Sequence, residues 1–208
     1  MKELLKKIPL LQSAMSVIKA RRKNSNNIKR IRYMIETQPK LKVVVGASGV
    51  FEDDWIATDI EYLNLLKEAD WKKCFFDKRI DTILAEHVWE HLTPEEGLVA
   101  AKNCFNYLKV GGYLRVAVPD GFHPSEEYIS YVKIGVHGHK ALYNYKSFSE
   151  LFETAGFDVK LLEYYDDNGE FHYIDWDPLE GKIHRSKRFD KRENNSEYTS
   201  LIIDAVKK

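Results

Sequence analysis

Between residues 80 and 118 the chain passes through an apolar run, a capped helix, a glycine pair and a second apolar run, and this order restricts the fold more than any other feature. Ile80 to Ala85 is short and apolar enough for a buried strand. Thr93-Pro94-Glu95-Glu96 then combines a threonine cap, a proline at the first helical position and a glutamate three residues after the cap. Together they form a capping box, the strongest helix start in the chain. Leu98, Ala101, Phe105 and Leu108 recur on one helical face, and Gly111-Gly112 is expected to stop the helix before a strand from Tyr113 to Val118. Strand, helix, strand implies a parallel crossover and an α/β architecture.

The flanking segments extend this sheet. Leu41 to Val45 is a β-branched run closed by Gly46-Ala47-Ser48-Gly49, a strand feeding a tight turn. Trp55 to Ile60 reads as a second strand ending in Asp59, with Tyr62 to Leu66 a weaker strand candidate behind it. Only nine residues separate Val45 from Trp55, too few for the dozen or more of a helical crossover, so the first crossover helix is expected to be reduced or absent. Ser147-Phe148-Ser149-Glu150 forms a second capping box, opening a helix that buries Leu151, Phe152 and Ala155 and stops at Gly156. A strand from Phe157 to Tyr165, a turn at Asp167-Asn168-Gly169 and a strand from Glu170 to Trp176 follow. The last strand, Tyr198 to about Val206, carries Leu201-Ile202-Ile203 and is expected inside the sheet.

With 208 residues and 44% hydrophobic positions the chain suits one filled core and is short for two. No run of roughly 18 apolar residues is present, which argues against a spanning helix. Residues 1 to 42 hold 12 Lys/Arg against Glu3 and Glu36, leaving 20 basic and 30 acidic residues beyond, so a +10 arm stands opposite a −10 body. Such an arm can dock on its own chain or reach an anionic surface, and docking is the expectation here, because Leu4, Leu5, Ile8, Leu11, Met15 and Ile18 form a stripe at near-helical spacing. Arg21-Arg22-Lys23 follows this stripe where a signal peptide would need small residues. Cys74 and Cys104 match no metal or redox spacing, which points to a reducing, cytoplasmic setting.

In an open α/β sheet ligands bind beyond the carboxyl ends of the strands, which directs attention to residues 46 to 49, Asp59, residues 86 to 91 and residues 119 to 123. The sequences Val43-Val44-Val45-Gly46-Ala47-Ser48-Gly49, Trp55-Ile56-Ala57-Thr58-Asp59-Ile60, Ile83-Leu84-Ala85-Glu86-His87-Val88-Trp89-Glu90-His91-Leu92 and Leu108-Lys109-Val110-Gly111-Gly112-Tyr113-Leu114 carry a further signal. Residues 41 to 120 as a whole resemble the class I S-adenosylmethionine-dependent methyltransferases. The resemblance implies a three-layer Rossmann-like, mostly parallel sheet with an antiparallel closing strand, preceded by a helical extension over residues 1 to 38, with residues 39 to 208 as the methyltransferase-like domain. It also implies S-adenosylmethionine as cofactor, held by Gly46, Ala47, Ser48 and Gly49 near the methionine part, by Asp59 at the ribose and by Glu86 and His87 at the methionine and sulfonium. Ile60, Asp70 and Trp71 complete the expected cofactor-binding set. The chain departs from the family in having Ser48 where a second glycine is usual and no acidic residue near Val44.

Methyl transfer requires a positioned acceptor and often a base, for which histidine is chemically suited near neutral pH. His87 is the first candidate by location and His123 the second, with His137 and His139 as further candidates. The long segment from Phe122 to Tyr145 suits a lid or acceptor wall. Between residues 166 and 197, Arg185, Lys187 and Arg188 could receive an anionic group on an acceptor, or form a solvated turn. His87-Val88-Trp89-Glu90-His91 also matches the H-x-x-E-H pattern of inverted zinc peptidases, in which a helix presents both histidines. A strand ending at Ala85 and a cap at Thr93 leave no room for that helix, so no metal is expected. The expected function is methyl transfer to a small-molecule or sugar-containing acceptor. A non-catalytic cofactor- or ligand-binding relative of the same fold is the alternative, with the zinc peptidase reading behind it, and the sequence carries no strong nucleic-acid-binding signal.

Overall fold

The computed structural model describes residues 18–19, 23–49, 52, 54–77, 79–190 and 200–208. Helix α1 covers residues 23–37. It is followed by β1 (Lys42–Val45), β2 (Ile56–Ala57), α2 (Glu68–Phe75), β3 (Ile80–Glu86) and α3 (Pro94–Tyr107). The chain continues through β4 (Leu108–Pro119), α4 (Glu126–Val132), α5 (Tyr145–Thr154), β5 (Asp158–Tyr165), β6 (Phe171–Tyr173) and β7 (Ser200–Val206).

The seven strands form one sheet in the order β2-β1-β3-β4-β7-β5-β6. β2, β1, β3 and β4 are parallel neighbours, whereas β7 runs antiparallel between β4 and β5. The insertion of β7 follows from its burial on both faces. Leu201, Ile202, Ile203 and Ala205 are fully shielded, a pattern that suits a sheet interior and would be costly at an edge. No helix lies between β1 and β2 among the described residues, as the short spacing requires.

Alternating side chains divide the sheet into two different faces. Val43, Val45, Ile83, Ala85, Leu114, Val116, Leu201 and Ile203 point into the larger core, which α1, α2, α3 and α5 cover with residues such as Ile31, Trp71, Cys104 and Phe152. Val44, Leu84, Ala117, Leu162 and Ile202 point the other way, where Trp55, Trp176, Ile183 and Phe189 cover them. The third layer is thus an irregular segment preceding β7. Arg115 of β4 fastens that segment, donating to the carbonyls of Asp177 and Gly181 while its guanidinium pairs with Asp204.

The capping box at Thr93 forms as its sequence demands, with Glu96 N–H donating to Thr93 Oγ1 and Thr93 N–H to Glu96. Several other boundaries differ from the sequence expectation, among them β6, which shortens from Glu170–Trp176 to Phe171–Tyr173. The helix ends at Tyr107, and Gly111-Gly112 lies within β4, where Gly111 has φ of 79° and the pairing with β3 changes register. A Cβ on Gly112 would sit 2.8 Å from the Asp81 carbonyl, so strand packing and not helix termination requires the glycine. The cap of α5 is Asn144, three residues before the expected serine, because its side chain reaches the N–H groups of Lys146 and Ser147. Tyr62 to Leu66 forms turns, tied back by Tyr62 and Leu63 N–H groups donating to the Asp59 carbonyl. The second strand shortens from Trp55–Ile60 to Ile56–Ala57, and α2 and α4 are helices whose short, charge-rich sequences gave no clear period.

The charged arm is anchored where it is described. Ile28, Ile31 and Met34 of α1 enter the larger core, and Asn24 donates to the Glu61 carbonyl at 2.7 Å. Ile18 is 57% exposed, and the stripe from Leu4 to Met15 lies outside the described residues. No described helix is long and apolar enough to cross a membrane. Cys74 and Cys104 are both buried free thiols.

Candidate functional site

The chain leaves β1 for β2 on one side and later returns to β3 on the other, so the strand order reverses at β1. This leaves a crevice between the carboxyl ends of β1 and β3, the position where open α/β sheets bind ligands. A cleft of about 760 Å³ occupies it, lined by Val44 to Ser48 from the β1 end, by Glu86, His87, Glu90 and His91 from the β3 end, and by residues of α4 and two later loops. That volume falls within the roughly 300–1,000 Å³ of small-molecule sites. A second cleft of about 390 Å³ meets it at Ser48, between Gly49, Thr58, Asp59 and Glu61 on one side and Lys23, Asn27 and Arg30 of α1 on the other.

The turn after β1 is held from both ends. Gly46 takes φ of 66°, where an L side chain is strained, and Ser48 takes 50°. Ala47 N–H donates to the Thr58 carbonyl, and Thr58 returns both its N–H and its hydroxyl to the Val44 carbonyl. Asp59 therefore stands beside the glycine turn at the mouth of the smaller cleft. Its Oδ1 accepts the Ile60 N–H, and its Oδ2 accepts no hydrogen bond among the described residues.

At the end of β3 the backbone turns sharply at His87, whose φ is 56°, into a three-residue 3-10 turn over Trp89–His91. His87 Nδ1 donates to Glu90 Oε1 at 2.9 Å and Nε2 lies 3.0 Å from Ser200 Oγ. Both ring nitrogens are thereby engaged. The helix required by the peptidase pattern is absent, since Trp89–His91 supplies one short turn only. Glu86 closes the opposite wall, accepting the N–H groups of His184 at 3.0 Å and Arg185 at 2.7 Å.

The segment from Phe122 to Tyr145 forms the remaining wall through Tyr131, Val132, His137 and His139. Lys140 and Ala141 N–H groups donate to the Glu90 carbonyl, which binds this segment to the β3 turn. With His184, five of the chain's seven histidines line the larger cleft, a concentration that single positions in the sequence did not reveal. His123 is not among them. It is buried between Tyr128 and Tyr165, with Nδ1 accepting the Ser125 N–H, so it supports α4 and is not the base the sequence suggested. Trp71 is likewise misplaced as a cofactor contact: it is fully buried, stacks on Tyr107 and donates to the Leu65 carbonyl. Asp70 accepts the Asn64 N–H, and Ile60 is 70% exposed beside Asp59; none of the three lines either cleft.

Asp120, at the end of β4, organises the base of that wall. Its carboxylate is buried and accepts the N–H groups of Phe122 at 2.9 Å and Tyr165 at 2.7 Å. Desolvation nevertheless dominates and pushes its pKa from 3.8 up to about 6. Burial also raises Glu163, which accepts from Trp176 and Lys187. A carboxyl raised in the folded state holds its proton longer there than in the unfolded chain, so its contribution is full below the unfolded value and is lost as pH rises through the folded one. Stability is therefore expected to fall between about pH 4 and pH 6, by roughly 2–3 kcal/mol from Asp120. Urea unfolding across that window should show the decline in the wild type and a flatter profile in Asp120→Asn. An identical slope in the variant would remove Asp120 as its source.

A mostly parallel sheet with β7 inserted antiparallel between β4 and β5 is what the sequence resemblance implied. The fold is that of the class I S-adenosylmethionine-dependent methyltransferases. No protein-family model and no curated protein matches the chain. Among solved structures it is similar to a methyltransferase of this cofactor class from Archaeoglobus fulgidus, at 16% identity over 88% of this chain and 94% of that one, with a TM-score of 0.48. A second, from Thermotoga maritima, shares 16% identity over 96% of each chain with a TM-score of 0.46. The CurJ carbon methyltransferase shares 14% over 89% of this chain and 54% of its own, with a TM-score of 0.49.

Proposed function

We propose that this chain is an S-adenosylmethionine-dependent methyltransferase acting on a small-molecule or sugar-containing acceptor in a reducing, cytoplasmic setting. The observation that carries the proposal is the junction of two clefts at Ser48, the smaller bordered by the Asp59 carboxylate and the larger opening at the strand-order reversal. This shape suits a nucleoside with a charged tail: Asp59 accepts from ribose hydroxyls, while the glycine turn lets the tail approach the backbone. When bound, the cofactor supplies a methyl group on a sulfonium. The chain's own residues then orient it. Glu86 and His87 flank the tail, and Tyr131, Val132 and His137 line the acceptor side. Lys23 and Arg30 of the arm face the smaller cleft, which supports a role for the arm on its own chain.

Calorimetric titration of the full chain with S-adenosylmethionine tests the cofactor assignment. Asp59→Ala should weaken binding by about 1.5–3 kcal/mol, the range for a hydrogen bond to a charged group, or tenfold and more in Kd. Unchanged affinity would remove Asp59 from the site. The engaged nitrogens of His87 favour a second reading, a cleft that binds cofactor without turning it over. That reading expects tight binding and no transfer of a labelled methyl group to any of a panel of hydroxyl and amine acceptors.

A further inference from the structure

We propose that Glu90, His91 and His139 form a binding site for one divalent transition-metal ion of the zinc type. One ligand atom from each lies within 4.8 Å of the others, and all three residues line the larger cleft. The sequence pattern paired His87 with His91; the fold pairs His91 with His139, whose rings stand 5.2 Å apart.

Three features indicate a ligand set and not a chance cluster. Glu90 is 1% exposed, yet its Oε2 has no hydrogen-bond partner, while Oε1 is held by His87. A buried carboxylate oxygen without a partner is costly, and a cation at that position removes the cost. Both imidazoles are oriented by carbonyl oxygens, His91 Nδ1 by Gly138 at 3.3 Å and His139 Nδ1 by Val132 at 2.8 Å. A carbonyl only accepts, so each Nδ1 carries the proton and each Nε2 keeps a lone pair for a metal, the outer-shell arrangement usual for metal-bound histidine. Finally, the protein-side hydrogen bonds Lys140 N–H and Ala141 N–H to the Glu90 carbonyl hold the His139 loop against the Glu90 turn before any ion arrives. Two nitrogens and one carboxylate suit zinc or cobalt(II), with further coordination positions open, and suit magnesium or calcium poorly because those ions favour oxygen.

Asp166, Glu170 and His172 form a second such group, but Asp166 already spends its carboxylate on His172 and on the N–H groups of Asn168 and Glu170. It serves as the control. The proposal does not rest on methyl transfer, and its test uses metal alone.

The full chain, stripped with chelator, would be titrated with cobalt(II) followed by visible absorption, and zinc content would be measured after desalting. One ion per chain is expected. His139→Ala and the isosteric Glu90→Gln should each weaken binding by at least the roughly 10–100-fold that loss of even an outer-shell partner costs. His172→Ala should leave it unchanged. Melting gives a second readout: zinc should raise the Tm of the wild type and not that of Glu90→Gln, whereas without metal Glu90→Gln should melt no lower than the wild type, since it removes a buried charge. If His139→Ala fails to fold by circular dichroism, Glu90→Gln decides. No bound ion in the wild type, equal affinity in Glu90→Gln, or loss of binding only in His172→Ala would each overturn the site.

Discussion

Replacing Arg115 by methionine is expected to destabilise the domain by about 3–5 kcal/mol, the range for removing one partner of a buried ion pair. The side chain is 3% exposed and lies directly opposite Asp204 in the β4–β7 register. Its Nε and Nη2 donate to the two Asp204 oxygens at 2.7 and 2.9 Å, its Nη1 reaches the Gly181 carbonyl at 2.7 Å, and the guanidinium lies 4.7 Å from the Trp176 ring centroid. Methionine fills much of the volume but leaves the shielded Asp204 carboxylate and the Gly181 carbonyl without donors. Urea unfolding would measure the loss. The double variant Arg115→Met/Asp204→Leu should recover a large part of it, because the penalty resides in the unpaired charge. A loss under about 1 kcal/mol, as for a surface pair, would show that solvent reaches Asp204 easily. The consequence extends to the cleft. Arg115 fastens the segment that carries His184 and Arg185 to Glu86, so the single variant should also weaken ligand binding at that wall.

Gly46→Val should remove cofactor binding, by about 100-fold or more in Kd, equivalent to about 2.7 kcal/mol. Two effects combine at this position. The φ of 66° costs an L residue about 1–2 kcal/mol, more for a branched one, and a Cβ there would lie 2.7 Å from Val88 Cγ2. Relief requires the turn or the Val88 segment to move, and both border the larger cleft: Gly46 lines it directly, and Val88 links His87 to Glu90. The far-ultraviolet circular dichroism should remain native, since β1 is held by its pairing with β2 and β3. Calorimetry with S-adenosylmethionine checks the result, and unchanged affinity in a folded variant would place the cofactor elsewhere.

Where structure depends on neighbours in the chain, the sequence was sufficient. The Thr93 capping box and β3 and β4 on either side of α3 follow from residues within one or two turns of each other, as does the lack of a helix between β1 and β2 among the described residues, since a nine-residue spacing cannot hold a helical crossover. The interior place of β7 was legible too, because full burial on both faces demands an uninterrupted apolar run. Gly111-Gly112 and Ser147 misled because local rules allow two outcomes there, and long-range packing against Asp81 or the reach of Asn144 selected the other one. The site divides in the same way. Gly46 and Asp59 announce themselves at strand ends, but His123 and Trp71 look equally available in sequence and become buried only when Tyr165 and Tyr107 pack on them. Nothing periodic connects His139 to Glu90 or Arg115 to Asp204. Those pairs are separated by 49 and 89 residues and meet because the sheet order and the loop after β4 bring them together, so the Glu90–His139 cluster and the ion pair belong to the tertiary structure alone.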